Sequence, residues 1–231
     1  MKRASLIPLL GLQIGCGEPL TAHPGAGGDT TPRSGSSVAP DAARDARIAA
    51  YLQVHRDEWH DFNVPYEDGE ELERLVVGCK CKNILEIGTS TGHSTIWLAK
   101  AALRTGGHVT TIEIDPGRHQ RAVSHFNEAG VSNLIDARLG DAMKVIPTLD
   151  GPVDFVFSDA TWSTQPANGY TEFFRIVEPK LAVGGLFTMH NVTDGYGDDG
   201  RFFRYLEGLG TYETRIVRTS RAGISISRKL R

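Results

Sequence analysis

The chain has 231 residues, with 25 Lys or Arg against 28 Asp or Glu, so its formal net charge is −3. Its 40% hydrophobic and 23% charged residues are typical of globular chains and exclude a wholly disordered or collagen-like protein. The lack of a basic excess argues against a dedicated nucleic-acid-binding protein. Three cysteines cannot form a disulfide framework, and no run of eighteen apolar residues could span a membrane.

The first sixteen residues have the layout of a secretory signal. Lys2 and Arg3 precede an apolar stretch that ends at Gly15, and the Gly15-Cys16 junction resembles a bacterial lipoprotein processing site. We therefore expect residues 1–16 to be a signal segment and the chain to be lipid-anchored at Cys16 in the cell envelope. The alternative is a meaningless extension from a mis-assigned start codon, which would leave the protein in the cytoplasm.

Residues 17–40 differ in composition from the rest of the chain. Fifteen of these twenty-four residues are Gly, Pro, Ser or Thr. Such a stretch cannot bury enough apolar surface to offset its ordering entropy, which predicts a flexible linker. The folded domain is then predicted over residues 41–231.

Two helices are predicted before the first strand. Spacings of three and four between apolar and aromatic residues predict a helix that begins at Asp41 and stops at Pro65. The residues on its inner face are Ile48, Tyr51, Leu52, His55, Trp59 and Phe62. A second helix is predicted over residues 67–77.

Strands and helices then alternate. Short apolar runs predict seven strands, over residues 83–87, 109–114, 135–139, 153–158, 186–190, 212–217 and 223–227. Helical spacing separates the first six, which predicts an α/β fold with a doubly wound, mostly parallel sheet and helices on both faces. No helix separates the last two strands, so we expect them to form a C-terminal antiparallel hairpin at one edge.

A glycine-containing turn and an acidic residue follow the first two strands. Gly88 and Gly92 open a helix, where backbone N–H groups can approach a carboxylate or phosphate. Their spacing differs from that of dinucleotide enzymes. Glu113 closes the second strand, 25 residues beyond Gly88, and an acid there can accept hydrogen bonds from ribose hydroxyls. The pair predicts a nucleoside site; the alternatives are a ligand-free turn and a solvated acid.

These motifs resemble those of class I S-adenosylmethionine-dependent O-methyltransferases, and in particular the catechol and caffeoyl-CoA O-methyltransferases and their bacterial members. The resemblance rests on residues 83–94, 111–116 and 140–142. Residues 63–69 are also similar to the segment that covers the cofactor in that group. It implies a Rossmann-like fold, S-adenosylmethionine (SAM) as cofactor, a small-molecule hydroxyl acceptor and a homodimer.

The same resemblance assigns cofactor contacts one position at a time. Glu113 would bind the ribose and Ala142 would lie beside the adenine, while Asp159 is a further candidate for a cofactor contact. The residues that would hold the methionine part are Val64, Glu86, Gly88, Thr89 and Ser94.

The acceptor side departs from the family. Relatives carry Asp, a nearby Lys and a Tyr after the fourth strand, and Asp-Asn after the fifth. Here Asp159 is kept, Trp162 stands at the lysine position, Tyr170 lies farther along, and the later pair is His190-Asn191. Asp159 and His190 are the candidates to accept or polarise the acceptor proton.

In those relatives, carboxylates at these positions bind a divalent cation. The set of Asp159, His190 and Asn191 has one carboxylate, so a metal bound there would be manganese, iron or zinc rather than magnesium. A divalent metal is therefore a further candidate cofactor. The alternative is that His190 caps a strand end and Asp159 only orients SAM.

Parts of the sequence are also compatible with two other functions. Gly88-Thr-Ser90-Thr-Gly92 fits the nucleophile elbow of α/β-hydrolases, and Ser90, Asp159 and His190 occur in the right chain order. Only helical sequence precedes this loop, however, whereas the elbow sits on a strand flanked by earlier strands. The other alternative is a non-catalytic envelope protein that retains the fold, because the lysine is missing and SAM is made in the cytosol.

Overall fold

A seven-stranded sheet forms the centre of the computed structural model, which describes residues 40–160, 166–193 and 200–231. The spatial order is β3-β2-β1-β4-β5-β7-β6, and β7 runs antiparallel to both of its neighbours. The strands are β1 Asn83–Ile87, β2 His108–Glu113, β3 Ile135–Leu139, β4 Val153–Ser158, β5 Leu181–His190, β6 Tyr212–Val217 and β7 Ile224–Lys229. The predicted fold class, with its antiparallel hairpin, is confirmed.

Helices cover both faces of the sheet. They are α1 Pro40–Val54, α2 Tyr66–Cys79, α3 His93–Thr105, α4 Pro116–Glu128, α5 Ala142–Val145, α6 Pro166–Val177 and α7 Arg201–Leu209. The first four contribute to a core with Ile84 and Phe155, and the last three to a second core with Phe187 and Met189. Because β1 is central, its carboxyl end lies between β2 and β4. This edge is where parallel α/β sheets bind ligands.

The first helix is shorter than the sequence pattern predicted. It ends at Val54, although apolar spacing continues through Trp59 and Phe62. Asp61 and Phe62 have positive φ angles of 70° and 63°, which are incompatible with a right-handed helix. Trp59 instead stacks on His93 at a ring-centroid distance of 4.6 Å, and Phe62 is 82% exposed.

Strand β5 begins five residues earlier than predicted, at Leu181. Pro179 lies in a single 3₁₀ turn, Glu178–Lys180, that separates α6 from the strand. Gly184 then has φ of 84°, and the register between β4 and β5 shifts near this point. The early part of β5 is thus irregular, which explains why its apolar pattern was not recognised.

Some predictions concern residues that the structure does not describe. The signal segment, the lipid-anchor residue Cys16, Trp162 and the linker up to residue 39 lie outside the described residues, while Pro40 begins α1. Among the helices that are described, none is long and apolar enough to cross a membrane. Cys79 and Cys81 form a disulfide around Lys80, a pairing that the sequence analysis did not predict.

Candidate active site

The turn after β1 brings the backbone of Gly88 against the end of β4. Gly88 has φ of +96°, and a Cβ atom there would lie 2.9 Å from the backbone nitrogen of Ala160. The backbone N–H of Asp159 donates to the carbonyl of Ile87 at 2.9 Å. Only glycine fits this conformation and this approach. The close packing places Asp159 beside the turn that leads into α3.

Glu113 ties the end of β2 to the same turn. Its Oε2 accepts the backbone N–H of Ser90 at 2.7 Å, and its Oε1 accepts those of Ile114 and Asp115 at 3.0 and 2.9 Å. A carboxylate has about four acceptor positions, so about one remains for a ligand hydroxyl. The side chain of Ile114 is 69% exposed beside this carboxylate and was missed from sequence.

Glu86 is a fully buried acid beneath the turn. Its Oε2 accepts hydrogen bonds from the hydroxyls of Thr95 and Thr111, the latter at 2.6 Å, whereas Oε1 makes none within the described residues. Burial raises the pKa of Glu86 to about 7, against the opposing effect of the Ser94, Thr111 and Thr95 hydroxyls. A buried oxygen without a donor is costly, so Oε1 is suited to accept from a ligand.

Residues 61–64 lie over the turn and are fastened to it by polar contacts. The hydroxyl of Ser90 donates to the carbonyl of Asp61, and Asn63 Nδ2 donates to Thr91 Oγ1 at 2.7 Å. The Asp61 carboxylate also accepts from Arg118 at 2.8 Å. Asn63 and Val64 belong to the 63–69 segment that the resemblance assigned to covering the cofactor, and residues 61–64 are called the covering segment below.

Val64 is a buried residue of this covering segment, and its carbonyl contacts a neutral histidine. Its carbonyl lies 3.0 Å from Nδ1 of His93, whose Nε2 accepts from Trp97 Nε1 at 3.1 Å. Burial lowers the pKa of His93 to about 4, against the opposing effect of its hydrogen bond to the carbonyl of Val64. The ring is therefore neutral at physiological pH, with its proton on Nδ1, and it joins the covering segment to α3.

The three acceptor-side residues predicted from sequence converge. His190 Nδ1 lies 3.2 Å from Asp159 Oδ1, and Asn191 Nδ2 donates to the same oxygen at 3.0 Å. The other nitrogen of His190, Nε2, lies 2.8 Å from Oδ2 of Asp68. His190 is thus buried between two carboxylates, one of which sequence reasoning did not assign.

Asp68 is a fully buried residue of α2. It accepts hydrogen bonds from the hydroxyls of Thr219 and Ser220, the second at 2.5 Å, in the turn between β6 and β7. Burial raises the pKa of Asp68, but hydrogen bonds from His190, Ser220 and Thr219 outweigh this effect and hold the pKa below its usual value. Its place within the 63–69 motif was the only sequence signal for it.

The two carboxylates determine the charge of His190. Burial lowers the pKa of His190, but the charges and hydrogen bonds of Asp159 and Asp68 outweigh burial and raise the pKa to about 9. The imidazole is therefore protonated at neutral pH, with an N–H directed at each carboxylate.

This donor set does not fit the divalent metal that the resemblance implied. A histidine binds a metal through a deprotonated ring nitrogen, and both nitrogens of His190 face carboxylates. Asn191 turns its NH₂ group, not its oxygen, toward Asp159. In the described part of the chain, no three His, Cys, Asp or Glu side chains are placed to hold a metal ion.

Ser90 does not belong to a nucleophilic triad. Its hydroxyl donates to the carbonyl of Asp61, while His190 is held by Asp68 and Asp159. Its φ of 48° follows from the turn that brings its backbone N–H to Glu113. The hydrolase interpretation lacks its serine–histidine contact.

Comparison with known proteins gives the family that this domain resembles. Residues 85–192 match the family of methyltransferase domains. This stretch of the chain is similar to a methyltransferase domain. It is 34% identical over 152 residues to a catechol O-methyltransferase of Niastella koreensis and 35% identical over 134 residues to one of Mycobacterium tuberculosis. The resemblance to catechol and caffeoyl-CoA O-methyltransferases is confirmed.

Solved structures agree. An O-methyltransferase of Streptomyces achromogenes involved in tomaymycin synthesis, in complex with SAM, matches with a TM-score of 0.66 and 27% identity, over 80% of this chain and 90% of that chain. An O-methyltransferase of Bacillus cereus in complex with SAH has the same fold, with a TM-score of 0.64 and 21% identity, over 84% of this chain and 93% of that chain. Neither the hydrolase nor the non-catalytic alternative is supported by these similarities to the methyltransferase domain.

The similarity to the curated relatives is partial in length. It covers 64% of this chain and 66% of the Niastella protein, and 58% of this chain and 54% of the Mycobacterium protein. The chain thus spans between about half and two thirds of the length of these two relatives.

Proposed function

We propose that this chain is a SAM-dependent O-methyltransferase that transfers a methyl group to a hydroxyl of a small-molecule acceptor. The observation that carries the proposal is the carboxyl edge of β1, β2 and β4, where the Gly88 turn and Glu113 meet Oε1 of Glu86, an oxygen without a hydrogen-bond partner in the described part of the chain. Similarity to O-methyltransferases, one of them solved with SAM, supports it.

Each part of SAM has a matching surface at this edge. The remaining acceptor position of Glu113 suits a ribose hydroxyl, and the exposed side chain of Ile114 suits one face of adenine. Ala142, at the start of α5, is the residue that the resemblance assigns to the adenine. The unpaired Oε1 of Glu86 suits the methionine ammonium. The turn and covering segment around these groups contribute Val64, Gly88, Thr89 and Ser94.

SAM supplies an electrophilic methyl on a sulfonium, and the protein must position the acceptor oxygen in line with it. Both hydrogen bonds that the described residues make to the Asp159 side chain end on Oδ1. Oδ2 is therefore available to accept the proton of the acceptor hydroxyl. Because Asp159 lies beside the Gly88 turn, an acceptor at Asp159 Oδ2 would lie close to a cofactor bound at that turn.

Calorimetry of the full chain with SAM and SAH tests the binding step. We expect one site per chain for each ligand. Turnover is tested with catechols and caffeoyl-CoA, the acceptors named for the relatives, by detecting SAH and a methylated product by mass spectrometry. A chain that binds neither SAM nor SAH would not be a methyltransferase.

We also propose that the chain is held at the cell envelope by a lipid on Cys16. The order of basic, apolar and Gly-Cys segments supports this, as does the Cys79–Cys81 disulfide, because disulfides persist in oxidising compartments. Fractionation of cells that produce the full chain, with mass analysis of its N-terminus, is the test. A chain with Met1 intact in the soluble cytosolic fraction would rule the anchor out.

We further propose that the chain is a homodimer. Resemblance to the O-methyltransferase group is the support for this proposal. Sedimentation velocity of the full chain should give twice the chain mass of 25.1 kDa, and a single species at the chain mass would contradict it.

A further inference from the structure

We propose that the side chain of His190 takes the place of a divalent cation on the acceptor side, so that methyl transfer requires no metal and Asp68 acts as a positioning residue through His190. This inference rests on the proposed methyltransferase function. It specifies which side chain supplies the positive charge on the acceptor side and which residue contacts the acceptor.

The first argument is the donor and acceptor inventory around the ring. His190 Nε2 lies 2.8 Å from Asp68 and Nδ1 lies 3.2 Å from Asp159. Ionised carboxylates only accept hydrogen bonds, so each ring nitrogen must donate. An imidazole that donates from both nitrogens carries a positive charge and has no lone pair left for a metal. The side chain thus supplies one positive charge between two carboxylates.

The second argument is that Asp68 is itself locked as an acceptor. Two hydroxyls, from Thr219 and Ser220, donate to it from the turn between β6 and β7, and its side chain is fully buried. An isolated carboxylate at this depth would be strongly destabilising, and the pairing with His190 relieves this cost. Asp68 in α2 therefore pairs with His190 at the end of β5. Through its two hydroxyl donors, the same Asp68 also links this pair to the turn between β6 and β7.

The third argument concerns the reacting group. Asp159 Oδ1 is occupied by His190 and Asn191, so Oδ2 is the oxygen that the described residues leave for the acceptor. As the acceptor oxygen bonds to the methyl carbon, the carbon–sulfur bond breaks and its electron pair stays on sulfur. The sulfonium becomes a neutral thioether, and the hydroxyl proton moves to Asp159 Oδ2 and later to solvent. Asp159 is then the catalytic residue, and His190 and Asp68 set its orientation.

The decisive measurement is a titration of the wild-type full chain with Mn²⁺ in the presence of SAH. The electron paramagnetic resonance signal of free Mn²⁺ reports how much of the ion is bound. We expect no stoichiometric site at submillimolar Mn²⁺. The variant His190→Asp, which restores a carboxylate, should bind Mn²⁺ at least tenfold more tightly than wild type. His108→Asp, at an exposed position at the start of β2, is the matched control and should behave as wild type.

The outcomes separate the two proposals. Stoichiometric Mn²⁺ binding by wild type that is lost in His190→Ala would overturn the inference, and this result needs no folded Asp variant. Failure to bind SAH in calorimetry would instead refute the methyltransferase proposal. Wild-type turnover should keep at least 80% of its rate in excess EDTA, and loss of activity that Mn²⁺ restores would again overturn the inference.

The role of Asp68 has its own test. Asp68→Asn should lower kcat at least tenfold while the KM for SAM stays within twofold, because the residue acts on Asp159 through His190 and not on the cofactor. Asp136→Asn, at a half-exposed aspartate paired with Arg138, is the control and should leave both parameters unchanged. An equal change in KM and kcat, or an unchanged kcat, would contradict a positioning role.

Discussion

Glu113 and Ser90 are joined by a 2.7 Å hydrogen bond from the backbone N–H of Ser90 to the Glu113 carboxylate. This contact links the end of β2 to the turn that follows β1, so the acid that is proposed to bind ribose also shapes the loop beside the methionine. If Glu113 binds ribose as proposed, cofactor affinity and the order of the turn are coupled through this one side chain.

Replacing Glu113 with Ala should weaken SAM binding at least tenfold. Loss of a hydrogen bond to a charged group costs about 1.5–3 kcal/mol, and the turn also loses the acceptor for its Ser90 N–H. Calorimetry measures the dissociation constant. Glu207→Ala, at an exposed position of α7, is the control. Equal dissociation constants for Glu113→Ala and wild type would remove Glu113 from the site.

Replacing Gly88 with Ala should destabilise the fold by about 1–3 kcal/mol, because φ is positive and the new Cβ would collide with the backbone of Ala160. Gly78→Ala is a matched control. It lies near the end of α2 with open space around its Cα, so alanine should stabilise the chain there by about 0.5–1 kcal/mol. Urea unfolding of both variants measures the difference, and equal midpoints would contradict this account of the turn.

Much of the fold could be predicted from sequence because strands buried on both faces appear as continuous apolar runs. Strands β1 and β4 lie in the middle of the sheet, and their bounds match the prediction. The end of α1 could not be found this way. The apolar spacing continues past Val54, but the backbone at Asp61 and Phe62 is fixed by contacts with Ser90 and Arg118, which are distant in sequence.

The sequence could predict those residues of the candidate site that lie at the carboxyl ends of strands. Asp159 and His190 end neighbouring parallel strands, so their convergence follows from topology. Asp68 was missed because an acid in a short amphipathic helix is usually solvated. Its burial depends on hydroxyls of the distant β6–β7 turn and on His190. The replacement of a carboxylate by histidine indicated a changed site, but its partner was visible only in the structure.

The stability of the chain should depend on pH through His190. Its pKa is raised to about 9 by Asp159 and Asp68, against burial. A raised pKa on a base means that its stabilising contribution is fully present below the unfolded pKa, about 6.5, and is lost as pH rises through about 9. The contribution is on the order of 3 kcal/mol.

Urea unfolding of wild type and His190→Gln at several pH values measures this contribution. The difference in free energy of unfolding between the two proteins should shrink from pH 6.5 to pH 9.5. His108→Gln should show no such trend, because His108 is exposed. If the difference in free energy of unfolding stays constant over this range, folding does not raise the pKa of His190.

Ser90 should not act as a nucleophile. Its hydroxyl donates to the carbonyl of Asp61, and no histidine lies beside it among the described residues. Ser90→Ala should therefore be about 1 kcal/mol less stable than wild type, and neither protein should show esterase activity that depends on Ser90. A fluorophosphonate probe with mass mapping is the measurement. Covalent labelling at Ser90, together with esterase activity that Ser90→Ala abolishes, would restore the hydrolase interpretation.

Binding of SAM should strengthen as pH rises from 6 to 8 through ionisation of Glu86. Burial raises the pKa of this acid to about 7, so without ligand it is partly neutral in that range. The methionine ammonium of SAM favours the ionised form at the unpaired Oε1, and binding therefore releases a proton. Calorimetry in buffers of different ionisation enthalpy measures both the affinity and the proton count.

Two controls isolate the Glu86 effect. 5′-Methylthioadenosine keeps the nucleoside but lacks the ammonium, so its affinity should not depend on pH in this range. Glu86→Gln keeps the shape of the side chain without its charge. It should bind SAM at least tenfold more weakly at pH 8 and show no proton release, since a charged hydrogen bond of about 1.5–3 kcal/mol is lost. An identical pH dependence for SAM and methylthioadenosine in wild type would place the titrating group elsewhere.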